Sequence, residues 1–260
     1  MASLEEPIYL YVTGTAGSGK SRFTGALQQW MKQAGHDAIT VNLDPGAERL
    51  PYGPDVDIRE WILLGEVMDE YSLGPNGAQV VAADLVALRT ADIAEQIQET
   101  RTDYVILDTP GQTELFVFRD AGRIVMDYLS RERSAVAFLM DPFLARRPAA
   151  YVSQLMLSAT AQFRFQRPTV NVLTKTDLLP AADRDRLVRW GESLDALADA
   201  LYSDPADMVT QMNTDVFKVL EGLGAGTGLV PVSSETLEGM EDVYTFAQSA
   251  FEGGEDIEKS

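Results

Sequence analysis

The sequence predicts an α/β protein built on a doubly wound, mostly parallel sheet flanked by helices. Three observations predict it. Short, nearly all-apolar runs rich in Val, Ile, Leu and Tyr recur along the chain, which is how strands buried on both faces of a sheet read. Helical patterns separate these runs, so successive strands are joined by crossovers. The first run leads into Gly14-Thr15-Ala16-Gly17-Ser18-Gly19-Lys20-Ser21, a glycine-rich turn that opens a helix.

Taken in order, a strand at 8–13 (Ile-Tyr-Leu-Tyr-Val-Thr) ends at that turn, and a helix covers 20–34. A second strand at 38–43 ends beside Asp44-Pro45-Gly46. Helical patterns over about 58–72 and 89–100 make an insertion of about 58–100. Between them, Gly74-Pro75-Asn76-Gly77 reads as a tight turn joining two helices. The strand Tyr104-Val-Ile-Leu-Asp108 follows, then a helix over 112–132, a strand at 135–141, a helix at 149–165 and a strand at 169–174. Helices at 181–202 and 206–221 form a second insertion, 181–225, before a last strand at 229–232 and a helix at 237–251. Gly222-Leu-Gly-Ala-Gly-Thr-Gly228 lacks a lysine and leads into a strand, so it reads as a connector rather than a second phosphate loop. No repeat or linker divides the chain. One domain over 1–260 with a short acidic tail at 252–260 is expected.

The chemistry sits at strand ends. Residues 14–21 complete the pattern G-x-x-x-x-G-K-[ST], which defines the fold class further as a P-loop NTPase. Glycines let the backbone wrap around phosphate with its N–H groups inward, and the helix that follows aims its positive end at the same anion. Gly14, Thr15, Ala16, Gly17, Ser18, Gly19, Lys20, Ser21 and Arg22 are therefore the expected phosphate contacts. Lys20 is placed for the β- and γ-phosphates and Ser21 for Mg²⁺. Asp108-Thr-Pro-Gly-Gln112 follows a buried strand. Asp108 can order a Mg²⁺-bound water, Gly111 can bring its N–H to the γ-phosphate, and Gln112 can orient the attacking water. Glu114 stands next to them, where the alternative is a solvated helix start. Asp44, at the end of the second strand, is either a magnesium or water-activating acid or ordinary Asp-Pro-Gly turn chemistry.

Thr174-Lys175-Thr-Asp177 ends the strand at 169–174 and fits the N-K-x-D segment by which G proteins read guanine. Asp177 would accept two hydrogen bonds that adenine cannot offer, and the Lys175 stem would pack over the base. Thr174 replaces the usual asparagine, so a weaker brace is expected. Ser233 and Ser234 end the last strand and would back the base.

Composition excludes several classes. The chain carries 40 acidic and 21 basic residues, a net charge of −19, which disfavours direct nucleic-acid binding. The acid is dispersed, which suits solvation in concentrated salt and a halophilic host. There is no cysteine, so disulfides and thiolate metal sites are ruled out. The single histidine, His36, reads as a solvated loop residue. No apolar run approaches ~20 residues, and the start, Met-Ala-Ser-Leu-Glu-Glu-Pro, is no signal peptide. A cytoplasmic protein is expected.

Together the phosphate loop at 14–21, Asn-Leu-Asp-Pro at 42–45, Asp-Ile-Arg-Glu at 57–60, Gly74-Pro75-Asn76, Asp-Thr-Pro-Gly-Gln-x-Glu at 108–114 and Thr-Lys-Thr-Asp at 174–177 resemble the GPN-loop GTPases. The chain looks like an archaeal-type, single-domain member. The resemblance implies a homodimer that hydrolyses GTP to GDP with Mg²⁺. It places Asn76 in the partner's nucleotide site, Asp44 on water activation or magnesium, and Gln112 with Glu114 on water placement. No arginine finger is then needed, and Arg119 and Arg123 are expected on a helix surface. Gly46, where alanine is common, is expected to loosen the loop after Asp44. Eukaryotic relatives have long acidic tails and take part in RNA polymerase assembly. Here an RNA polymerase or other assembly client is an expectation only. The competing readings are a P-loop kinase acting on a nucleoside or polynucleotide 5′-hydroxyl and a non-catalytic, GTP-gated scaffold.

Overall fold

A computed structural model describes residues 6–203, 208–222 and 228–252. The acidic tail beyond 252 and most of the glycine-rich connector lie outside them. Seven strands form one sheet: β1 (Ile8–Gly14), β2 (Ala38–Asn42), β3 (Val56–Asp57), β4 (Tyr104–Asp108), β5 (Ser134–Met140), β6 (Thr169–Leu173) and β7 (Leu229–Pro231). Their order is β3-β2-β4-β1-β5-β6-β7, and every pairing is parallel. The expected "mostly parallel" sheet is wholly parallel among the described residues.

The all-apolar strands work because each side of the sheet is covered. Along β1, Tyr9 and Tyr11 enter one core, while Leu10 and Val12 enter the other. The second core is closed by Phe23, Leu27 and Met31 of α1 (Lys20–Gln33) and Met240 and Val243 of α11 (Met240–Glu252). The first is closed by α3 (Pro75–Leu88), α4 (Thr90–Thr100), α6 (Asp120–Leu129) and α7 (Pro148–Phe165), through residues such as Ala82, Ile93, Val125 and Tyr151. Fully burying one such large side chain contributes roughly 1.5–3 kcal/mol.

Several elements differ from expectation: the helix expected over about 58–72 is a 3-10 turn at Ile58–Glu60 and a helix over Leu64–Tyr71, and the helix expected over 181–202 breaks at Ser193 into two. β3 has two residues, too short to carry a periodic signal, and exists because Val41 and Asn42 pair with Val56 and Asp57. The helix α3 begins on the G-P-N segment itself, with Gly74 at its N-cap and Pro75 in its first turn. Proline suits that position because its missing N–H would have no helical partner. The turn to the preceding helix α2 (Leu64–Tyr71) is therefore Ser72 to Gly74. The helix expected over 112–132 is two, α5 (Thr113–Phe116) and α6, because Arg119 is extended between them. The helical insertion before β7 is α8 (Ala181–Glu192), α9 (Leu194–Ser203) and α10 (Met208–Gly222).

Candidate nucleotide site

Parallel strands deliver their carboxyl ends to one edge, where α/β proteins bind ligand. The predicted motifs meet there. The phosphate loop leaves β1 with Gly14, Gly17 and Gly19 all at positive φ. A side chain at Gly14 would place its Cβ 2.5 Å from the Leu139 carbonyl, so only glycine fits between β1 and β5. Lys20 is buried, and its Nζ donates to the carbonyls of Gly14 at 2.9 Å, Thr15 at 3.1 Å and Gly111 at 2.7 Å. Burial pulls its pKa down to about 8, against the opposing pull of Asp108, Asp44 and Glu114. The Thr113 hydroxyl donates to Gly14 O at 2.8 Å, a second tie between loop and α5. Arg22 is exposed and lies 3.7 Å from Glu235, beside the turn that follows β7.

Asp44 reaches across to the same point. Its Oδ2 accepts the Gly111 N–H at 3.0 Å, and its Oδ1 accepts the Gly46 N–H at 2.9 Å. The Gly111 N–H, expected on a γ-phosphate, is held by Asp44 in this structure. Gly46 does not loosen the loop, because its N–H closes a turn onto the Asp44 carboxylate. Asn42 fixes the turn from below, accepting the Asp44 N–H at 3.0 Å and donating to Asp57 at 2.9 Å. Arg59 grips Asp57 through Nε and Nη2, one edge of its guanidinium, and donates from Nη1 to Ala47 O at 2.9 Å. Burial works against the charge on Asp57, but the bonds from Arg59 and Asn42 outweigh it and hold the carboxyl below the usual aspartate range.

Asp108 is 1% exposed. Burial raises its pKa to about 6, opposed by the Ser21 and Tyr52 hydroxyls and the Lys20 ammonium and reinforced by Asp44. Its Oδ2 accepts the Tyr52 hydroxyl at 3.1 Å, and its Oδ1 is buried without a hydrogen-bond partner. The hydroxyls of Thr15, Ser18 and Thr24 are buried and unpartnered in the same region. The Asp108 carboxyl and the Ser21 hydroxyl that acts on it make an all-oxygen donor set suited to a hard cation such as Mg²⁺. Such an ion is usually held by one or two carboxylates plus phosphates and water. Among the described residues no cluster of three or more His, Asp or Glu could hold a metal by itself, consistent with that shared mode.

The segment after β6 is braced through Thr174. The Thr174 hydroxyl donates to Ser18 O at 2.8 Å and contacts Met140 O at 3.3 Å, fastening the base-reading segment to the phosphate loop. Lys175 sits at φ 56°, a left-handed backbone rare for a side chain this long and typical of functional sites. Its Nζ bonds Asp141 at 2.8 Å and Gly17 O at 2.7 Å. Gln154 clamps Asp141 through both its N–H and its carbonyl. Asp177 is exposed in the 3-10 turn Thr176–Leu178. Thr176 N–H donates to Val232 O at 3.2 Å, which brings the Ser233–Ser234 turn alongside. The buried Ser233 hydroxyl accepts the N–H groups of Glu235 and Thr236.

Other predicted residues stand apart. Gln112 and Glu114 are exposed, and Gln112 contacts Gln79 of α3 at 3.4 Å. Asn76 is exposed, and no hydrogen bond among the described residues joins it to its own phosphate loop. Arg119 pairs with Asp84, on the surface as expected. The sequence reading missed Tyr52, which no motif marks. It also missed Asp141, although the strand-end rule that singled out Asp44 and Asp108 points to it as well.

A phosphate loop fastened to an Asp-x-x-Gly segment and to the Thr174–Asp177 segment at one sheet edge defines a P-loop nucleoside triphosphatase. A family described as "conserved hypothetical ATP binding protein" matches residues 12–253. The chain is 32% identical over 236 residues to the GPN-loop GTPase PAB0955 of Pyrococcus abyssi, covering 90% of this chain and 93% of that one. It is 30% identical to GPN-loop GTPase 3 of Dictyostelium discoideum, covering 95% and 88%. The crystal structure of PAB0955, titled a GTPase in apo form, superposes with a TM-score of 0.84 at 30% identity, covering 94% of this chain and 97% of that one. The chain belongs to the GPN-loop GTPases and is a GTP-hydrolysing enzyme. No helix among the described residues is long and apolar enough to cross a membrane.

Proposed function

We propose that this GTPase acts as a homodimeric switch that hydrolyses GTP to GDP and phosphate with Mg²⁺. The observation that carries the reading is the threefold fastening of the phosphate loop, by Lys20 to Gly111, by Thr113 to Gly14 and by Thr174 to Ser18. These bonds support a reading in which the phosphate loop, the Asp-x-x-Gly segment and the Thr174–Asp177 segment act as one site. In this reading residues 14–22 hold the phosphates, and Lys175, Asp177, Ser233 and Ser234 receive the guanine. Ser21 and Asp108, with Asp44 near, hold Mg²⁺, which when bound neutralises charge on the phosphate oxygens. Asp44 and Gln112, with Glu114, orient the attacking water. Lys20 and the loop N–H groups stabilise the developing charge.

Asn76 serves the other subunit's site. Its exposure at the start of α3 supports action in trans. Lys20→Ala and Asn76→Ala proteins are each inactive on this reading. Mixing them gives hybrids with one intact site, so activity returns. A mixture as inactive as its parts would sink the trans assignment.

The dispersed charge of −19 supports a salt-rich cytoplasm. GTP-dependent assembly of a protein complex, with an RNA polymerase subunit as client, is the cellular role proposed. Capture of polymerase subunits by the GTP-loaded protein but not the GDP-loaded one tests it, and equal or no capture counts against it.

A further inference from the structure

Asp108 is the only site acid whose two oxygens stand in such unlike surroundings. One takes the Tyr52 hydroxyl at 3.1 Å, and the other is buried and unpartnered. Tyr52 is held in place from three directions. Its ring packs on α1 at Gly25, where a Cβ would lie 2.8 Å from the Tyr52 Cβ, so residue 25 has no room for a side chain. Three residues on, Asp55 Oδ2 accepts Gln28 Nε2 at 2.7 Å and Thr40 N–H at 2.7 Å, pinning the segment to α1 and β2. Upstream, Arg59 holds the Ala47 carbonyl at 2.9 Å. A phenol fixed this firmly restricts rotation of the carboxylate it bonds.

We propose that Tyr52 is a positioning residue for the metal acid: it occupies Oδ2 of Asp108 and so leaves Oδ1 as the oxygen presented to Mg²⁺. The inference rests on the Mg²⁺–GTP reading above. The Tyr52 hydroxyl bonds the Asp108 carboxylate, so its effect is expected on metal dependence rather than on the base or the phosphates.

The test is release of a fluorescent GDP analogue, measured with Mg²⁺ titrated from zero against EDTA, in the wild type, Tyr52→Phe and Gly25→Ala. Tyr52→Phe keeps the ring and removes the hydroxyl. Gly25→Ala keeps the hydroxyl and displaces the ring. Both are expected to raise the Mg²⁺ concentration for half-maximal slowing of release by about fivefold or more, with release in EDTA unchanged. An unchanged or lower Mg²⁺ requirement in Tyr52→Phe overturns the inference, and so does an equal change in EDTA. If the wild type itself shows no slowing by Mg²⁺, it is the Mg²⁺–GTP reading that fails.

Discussion

The Asp44 carboxylate accepts the backbone N–H of Gly111 at 3.0 Å, while the carbonyl of the same glycine takes Lys20 at 2.7 Å. Both backbone polar groups of one residue are thus committed to the two side chains proposed to act at the γ-phosphate. A γ-phosphate that claims the Gly111 N–H must displace a like-charged oxygen, and the displaced carboxylate is then free for water or metal.

Asp44→Asn keeps the shape and an acceptor for Gly111 but removes the charge. Single-turnover hydrolysis is expected to slow by about 100-fold or more, the scale of a lost general base, with GTP affinity little changed. A loss of affinity at unchanged turnover would show Asp44 to be a structural latch only.

Lys20 gives a pH dependence. Its pKa in the folded chain is down at about 8, below the ordinary lysine value of 10.5. The unfolded chain therefore binds more protons between these values, and for this group alone stability rises with pH across that window. Nucleotide binding runs the other way, since bound phosphate needs the ammonium. GTP affinity should fall as pH rises above about 8, with proton uptake on binding visible by calorimetry in buffers of different ionisation heat. A flat affinity from pH 7 to 10 would contradict this.

Asp177→Asn replaces two acceptor oxygens by one acceptor and one donor. GTP affinity should drop at least about 100-fold, because a donor then faces a guanine donor where an acceptor stood. A purine with a carbonyl at the amine's position should regain part of it. Equilibrium binding of GTP, ATP and the 2-oxo analogue checks the ranking, and an unaltered GTP preference would remove Asp177 from base reading.

Thr174→Val is isosteric and deletes one buried hydroxyl. The Ser18 and Met140 carbonyls lose their donor, costing about 1–3 kcal/mol of stability, read by denaturant unfolding. Discrimination of GTP over ATP should survive better than in Asp177→Asn, because only the brace is lost. Equal loss in both variants would make the brace part of base reading.

Much of this site is legible in the chain because its motifs are local. The phosphate loop needs only a strand before it, glycines at left-handed positions and a helix after it, all contiguous from residue 8 to residue 33. Asp108 and the Thr174–Asp177 segment announce themselves as polar residues ending apolar strands. The α3 helix was hidden because Gly77 and a run of small residues weaken its pattern, although Gly74-Pro75 is a legitimate helix start. Tyr52 was hidden more deeply, since nothing around it in sequence refers to Asp108, 56 positions away.

The sequence by itself determined the fold class and the family of chemistry, because backbone periodicity and phosphate-loop geometry are short-range properties. Only the tertiary structure decided which strand end meets which. The order β3-β2-β4-β1-β5-β6-β7 sets β4 between β2 and β1, so Asp44 finds Gly111 across 67 positions. It also puts β5 between β1 and β6, and Thr174 finds Ser18 across 156. Those bonds depend on the packing of two cores against a twisted sheet, and no local pattern in the chain encodes them.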